Sequence, residues 1–375
     1  MAPKQAALIL LLPLLSACAG GAAAGTSTQI IPPTGTPTLT LTAALNGAQV
    51  VSFADASPSV PVFYTLDGST PTIASLRYIA PLMLTTPTTV KAVEQLHGVV
   101  SPVTTQLVSA AVPANTLVFD EEFTNTTGSI QQPNPAVWAY DEGHGSQGWG
   151  NSELEFYCAW ASANPPCTSA SPNVFVGTDS ALHLVARQPT PGVYTSARIK
   201  SQGQLSFLYG RIEARIQIPE GQGIWPAWWM LGNNYVTDNW PLCGEFDLME
   251  HVNQPTPDLV WGSTHMLGGQ ASHSFSGTGP GTGATANFSA TTWHTYGMVW
   301  SKGQVTYYVD SPSNVYAIST AANMTQSGAT WPFDSGNGMF LLLNVAVGGS
   351  WPGSPNASTP YPAEMLVDWI HVYTN

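Results

Sequence analysis

Apolar and polar residues alternate with a period of two along much of this chain, the pattern of strands with one buried face. In residues 209–219, YGRIEARIQIP, Ile212, Ala214, Ile216 and Ile218 fall on one side and Arg211, Glu213, Arg215 and Gln217 on the other. That stretch predicts a half-buried antiparallel strand. Residues 340–349, FLLLNVAVGG, are apolar nearly throughout and predict a fully buried strand, and MLVDWIHVY at 365–373 predicts a closing strand. No long helical period is present. Short strands broken by Gly and Pro turns through residues 113–375 imply a large all-β sandwich. Residues 38–112 carry separate alternating patches, TLTLTAAL, VFYTLDGS and TTVKAV, and predict a small antiparallel β module of their own.

The N-terminus departs from this pattern. Lys4 precedes the apolar run AALILLLPLL, too short to span a bilayer and shaped like the core of a signal peptide. LSAC at residues 15–18 resembles a bacterial lipobox, which makes residues 1–17 a cleaved leader and Cys18 the lipidated first residue of an exported lipoprotein at the outer membrane or cell surface; ordinary cleavage and secretion is the alternative. Residues 18–37, rich in Gly, Ala, Thr and Pro, read as a flexible tether.

Composition narrows the partners. Only 8% of the 375 residues are charged, and 22 acids against 9 bases leave a net charge of −13. Nucleic acid and anionic membrane surfaces demand a basic face, so neither is expected as a partner, the membrane being reached only through the lipid anchor. Thirteen Trp, thirteen Tyr and twelve Phe exceed what a core needs, and fit a neutral ligand. Export implies an oxidising compartment, where Cys158 and Cys167, closing the Pro-rich loop CAWASANPPC, are expected to pair. Cys243 reads as a buried thiol. No Cys/His spacing resembles a zinc site, and nothing demands more than a monomer.

The chemistry concentrates in residues 244–253, GEFDLMEHVN. Glu245 and Asp247 are in step for one strand face, and Glu250 arrives one residue late. A β-bulge at Leu248 and Met249 would restore the face, placing three carboxyls together with Phe246 and the bulge residues packed behind. Such crowding is costly unless a proton is shared or a cation intervenes. Glycoside hydrolysis by a nucleophile and a protonated acid is one use, a hard-cation site a second, and a solvated acidic edge a third. Regular strand spacing would separate the two Glu Cα atoms by roughly 13 Å, whereas retaining hydrolysis needs carboxyls about 5–5.5 Å apart. The side chains must therefore lean together. Nearby, GIWPAWWMLG puts Trp225 and Trp229 on one strand face as sugar platforms, with Trp228 on the other as core; all three in the core is the plainer reading.

With WGNSELEFY, WPFD, LNVAVGG and VDWIHVY added, these stretches resemble glycoside hydrolase family 16, in particular its laminarinase-type endo-β-1,3-glucanases. The resemblance implies a concanavalin-like β-jelly roll with a concave cleft and a retaining double displacement on neutral β-glucan, without a catalytic cofactor. It implies Glu245 as nucleophile, Glu250 as acid/base and Asp247 as the partner that hydrogen-bonds the nucleophile and tunes its protonation. Trp225 and Trp229 match sugar platforms, and Asn151, Arg198, His265 and Asn344 match cleft positions. It further implies a structural calcium held by Asp368 and the backbone carbonyls of Glu122 and Ser180. Ala197 and Phe246 stand where the family more often has Gly and Ile or Leu. Agarose, porphyran or carrageenan is the alternative substrate, and a non-catalytic glucan-binding lipoprotein the alternative class. Residues 63–72, FYTLDGSTPT, resemble the chitobiase C-terminal-like β module, as a spacer or as a sugar-binding unit.

Overall fold

A computed structural model describes residues 35–55, 59–253, 258–277 and 288–375. The leader, Cys18 and nearly all of the tether therefore lie outside the described residues. Among the described residues no helix is long and apolar enough to cross a membrane.

Two sheets face each other in the larger part of the chain. One has seven strands in the order Ala139–Tyr140, Arg198–Lys200, Met339–Val347, Ile224–Gly232, Glu245–Glu250, Val260–Met266 and Gly269–Phe275. The other has ten strands; Gly210–Gln217 lies between Ala363–Tyr373 and His294–Ser301 at its middle. The period-two pattern explains what lies between. Ile212, Ala214 and Ile216 are fully buried, and so are Phe246, Met249, Leu341, Leu343 and Val345 from the facing sheet. Both faces of Met339–Val347 are covered, as its continuous apolar run requires. Trp228, Phe246 and Trp300 are the large rings of this core, with Phe246 meeting the edge of Trp300 at 5.5 Å. The polar face of Gly210–Gln217 is less open than alternation alone suggests. Glu213 is buried there, accepting from Arg211 Nη1 at 2.7 Å and from the Tyr308 hydroxyl.

The N-terminal strands form a three-stranded sheet (Thr38–Ala43, Gln49–Ala54, Leu82–Leu84) and a five-stranded one centred on Val62–Thr65 and Thr88–Leu96. All described residues belong to one compact unit, and this module is joined to the sandwich by backbone. Met83 N–H donates to Ser206 O at 3.0 Å, and Ser206 N–H to Pro81 O at 2.9 Å. Ala48 and Met83 are buried in the sandwich core. Gly338 makes the approach possible, since a Cβ there would stand 2.7 Å from Ser206 Oγ and 2.8 Å from Leu82 Cδ1. A disulfide links Cys158 to Cys167, and Cys243 is a free buried thiol pushed up to about 12 by burial.

Candidate active site

The strand Glu245–Glu250 is bulged. Against Ile224–Gly232, Asp247 stands opposite Trp229 and Met249 opposite Trp228, so Leu248 has no partner of its own. Against Val260–Met266, Glu245 faces His265, Asp247 faces Ser263 and Glu250 faces Trp261. Two residues, Leu248 and Met249, thus oppose the single Gly262 and are wholly buried with Phe246. Gly262 is a packing requirement, because a Cβ there would stand 2.2 Å from the hydroxyl of Tyr316. Phe246 stacks on Phe333 at 4.0 Å and anchors the strand from behind.

The result is one carboxyl face in one cleft. Glu245, Asp247 and Glu250 line it together with Trp149, Asn151, Arg198, Trp225, Trp229, Tyr235, Trp240 and Asn344. Trp225 donates its indole N–H to Glu250 Oε1 at 3.0 Å. Trp229 donates to Asn344 Oδ1 at 2.8 Å and is only half-buried, as is Trp225, while Trp228 is core. Trp229 is not a bare platform, however: the Arg198 guanidinium sits 4.7 Å from the ring centre, and 5.0 Å from that of Trp149. Arg198 is held from behind by Asp141 at 3.0 Å. His265 Nε2 lies 3.1 Å from Asp247 Oδ2 and 3.9 Å from Glu245 Oε1, bridging the two acids.

Burial is the largest influence on all three acids. It raises Glu245 well above the ordinary carboxylate range and pushes Asp247 and Glu250 up to about 8. The negative charge of Asp247 raises both glutamates further. Three such groups cannot all ionise together. Where the first charge goes depends on the cations. His265 and Arg198 both favour charge on Glu245, whereas Glu250 has His265 and the Trp225 N–H. Glycosidic cleavage needs a proton on the Glu250 side and a carboxylate on the Glu245 side, and Arg198, which favours charge on Glu245, pulls in that direction against the burial that raises both.

Asn151 donates to Glu153 Oε1 at 2.9 Å at the cleft edge. For a cation, Glu245, Asp247 and His265 offer ligand atoms within 4.8 Å of one another, and Glu250 is not in that set. The side chains of the calcium set have other partners. Asp368 accepts from Arg215 Nη1 at 2.5 Å, Glu122 Oε1 meets His371 Nε2 at 2.6 Å, and Ser180 Oγ accepts from Asn125 N–H. A hard cation gathers six to eight oxygens; these bonds involve Asp368 Oδ2 and the side chains of Glu122 and Ser180, not the two backbone carbonyls expected as ligands, and no step below passes through a metal.

Reading by strand alternation missed the loop-borne part of the cleft. Trp240 and Tyr235 are 52% and 40% exposed on the loop before the acid strand, and Trp351 packs edge-on against Trp225 at 5.4 Å. Their signal was available: large aromatics set among Asn, Gly and Pro have no strand face to bury them.

Comparison with known proteins agrees with this geometry. The model of the family described as "Glycosyl hydrolases family 16" matches residues 162–371, and that described as "Chitobiase/beta-hexosaminidase C-terminal domain" matches residues 41–105. A beta-glucanase of Rhodothermus marinus is 34% identical over 248 residues, covering 64% of this chain and 80% of that protein. The glucan endo-1,3-beta-glucosidase A1 of Niallia circulans is 32% identical over 285 residues, 70% of this chain but 38% of that longer protein. Among solved structures, the laminarinase catalytic domain of Thermotoga maritima aligns with a TM-score of 0.57 and 32% identity, over 69% of this chain and 98% of that one.

Proposed function

This chain belongs to glycosyl hydrolase family 16, and from that premise we propose that it is a retaining endo-β-1,3-glucanase acting on laminarin-like glucan, mixed-linkage β-1,3-1,4-glucan included. The observation that carries the reading is the bulge, which aligns Glu245, Asp247 and Glu250 on the wall of a cleft lined with half-buried tryptophans.

In this reading the Glu245 carboxylate attacks the anomeric carbon as the bond to the glycosidic oxygen breaks. Glu250 delivers its proton to that oxygen, and the shortened chain leaves. Water then attacks the glycosyl–Glu245 ester, giving its proton back to Glu250, and the sugar departs with its original configuration. Asp247, buried between them and held by His265, opposes double ionisation and so keeps the proton available to Glu250. Trp225, Trp229, Asn151, Arg198 and Asn344 bind the neutral chain through ring faces and hydrogen bonds. An acidic protein is a poor match for sulfated polymers, which supports glucan over carrageenan or porphyran. The apolar run before Cys18 supports export of the chain as a lipid-anchored protein.

Product analysis on laminarin, lichenan, agarose and carrageenan tests the assignment. Reducing oligosaccharides of several lengths from laminarin, with initial retention of the β configuration by NMR, is the expected result. Cleavage of agarose or carrageenan alone would move the substrate within the family, and laminarin binding without reducing ends would make the chain a glucan receptor.

A further inference from the structure

Two more carboxyls sit beside the catalytic face, and the reaction above does not use them. Glu153 and Glu155 lie one strand repeat apart, with Glu155 in the short strand Glu155–Tyr157. Glu155 is completely buried and Glu153 is 5% exposed. Glu155 Oε2 accepts from Val347 N–H at 2.6 Å, while Glu155 Oε1, equally buried, has no donor. The carboxyls of Glu153 and Glu155 are neighbours within hydrogen-bonding reach of each other.

Glu153 is in turn the end point of a directed chain of donors. The Trp229 indole donates to Asn344 Oδ1 at 2.8 Å, Asn344 Nδ2 to the Tyr157 hydroxyl at 3.1 Å, and that hydroxyl to Glu153 Oε2 at 3.0 Å. From the other side Asn151 Nδ2 donates to Glu153 Oε1 at 2.9 Å. The loop carrying Asn151 is strained: Gln147, Trp149 and Ser152 all have positive φ, a conformation kept only where surroundings enforce it. Every link in this chain ends on, or is oriented by, one carboxylate.

We propose that Glu153 and Glu155 form a proton-sharing pair that positions Asn151, Asn344 and Trp229 for the sugar, a reading that rests on the glucanase assignment above. Two buried carboxylates side by side repel, and two acceptors cannot pair. A proton on Glu155 Oε1 removes both problems, because the hydroxyl donates to Glu153 and satisfies the buried oxygen. The groups packed around the pair agree. Tyr157 and Tyr361 are neighbours that burial holds in the uncharged phenol form, and the ring of His144 meets the Glu155 backbone carbonyl at 2.9 Å. The cation felt at Tyr157, Arg198, is already paired with Asp141. Burial first, and then the charge of Glu153, hold Glu155 well above the ordinary carboxylate range. Raising the pH until Glu155 loses its proton would set two charges against each other and loosen the sugar-facing side chains without touching Glu245 or Glu250. Glu153 and Glu155 are therefore positioning residues.

The test is the pH dependence of KM and kcat on laminarin for the unaltered protein, Glu155→Gln and Glu155→Leu. A glutamine keeps the donor to Glu153 and the acceptor for Val347 N–H, but cannot ionise. KM of the unaltered protein is expected to rise about tenfold toward the alkaline end of the profile, separately from the fall in kcat. Glu155→Gln should hold KM within about twofold over that range, and Glu155→Leu should show the raised KM at every pH with kcat within about threefold of the parent. KM of Glu155→Gln tracking the parent at each pH, or an unchanged KM in Glu155→Leu, would overturn the pair. Absence of laminarin hydrolysis by the unaltered protein would instead sink the glucan assignment. In that event tryptophan emission of the ligand-free protein still decides: an alkaline shift present in the parent and absent from Glu155→Gln supports the pair, and identical curves refute it.

Discussion

Trp225 donates its indole N–H to Glu250 Oε1 at 3.0 Å, so the residue expected to hold the sugar also touches the residue expected to give the proton. The same bond favours the charged form of Glu250 and draws it back from the rise that burial imposes. Platform and acid are thus linked through one hydrogen atom.

Replacing Trp225 with Phe keeps a ring and removes the donor. The alkaline limb of the kcat profile is expected to move up by about half a pH unit, because Glu250 then keeps its proton longer. KM should rise as well, since the smaller ring covers less sugar. A limb moving to lower pH would reverse the sense assigned to this hydrogen bond.

Glu245→Gln and Glu250→Gln are each expected to lower laminarin hydrolysis by at least about a thousandfold. Circular dichroism should be unchanged, because both side chains face the cleft rather than the core. A small nucleophile such as azide should restore glycosyl transfer to Glu250→Gln when an activated aryl glycoside, which needs no proton, is supplied. Substantial hydrolysis of laminarin by either variant contradicts the roles.

The raised pKa of Glu250 also bears on stability. Glu250 holds its proton in the folded protein up to about 8, against 4.5 for the ordinary group. The folded state therefore binds more protons than the unfolded one across that interval, and stability falls as pH rises through it. Glu250→Gln removes the penalty. Its Tm should exceed the parent's by about 3–6 °C near pH 8 and match it near pH 4, as read by calorimetry. A Tm gain largest at the acid end would have the wrong sign.

The bulge predicts an asymmetry between deletion and insertion. Deleting Leu248 leaves Glu-Phe-Asp-Met-Glu, a regular alternation that keeps all three acids on one face. That variant should fold with Tm lowered by about 5–10 °C and retain measurable hydrolysis. Inserting one alanine after Phe246 turns Glu245 away from Asp247 and Glu250, and should abolish activity. Equal loss from both changes would argue against the bulge as the aligning device.

The N-terminal module should behave as part of the sandwich. Leu82 is buried beside Gly338, and Met83 enters the main core. Met83→Asp places a charge in that core and is expected to lower the melting of the whole chain in one transition, by several kcal/mol of stability. Two separate calorimetric transitions, the second at the parent temperature, would show instead that the module hangs free.

Much of this protein was legible from its sequence. Period-two alternation gave Gly210–Gln217 its buried face and Met339–Val347 its two, because a strand offers only two directions for a side chain. The late arrival of Glu250 announced the bulge, since a broken period beside an intact hydrophobic run has few other solutions. Three features waited for the tertiary structure. Arg198 covering Trp229 joins residues from strands on opposite sides of Met339–Val347, and sequence spacing carries no trace of that approach. Trp240 and Tyr235 reach the cleft, and Trp351 reaches Trp225, from turns and loops, where no strand periodicity fixes direction. The buried pair Glu153 and Glu155 looks in sequence like an ordinary polar alternation, and only the packing of Val347 and Tyr157 around it takes both carboxyls out of water. Alternation determines which side of a sheet a residue occupies; what lies above it is decided by chain segments distant in sequence, through contacts that exist only once the sheets have closed.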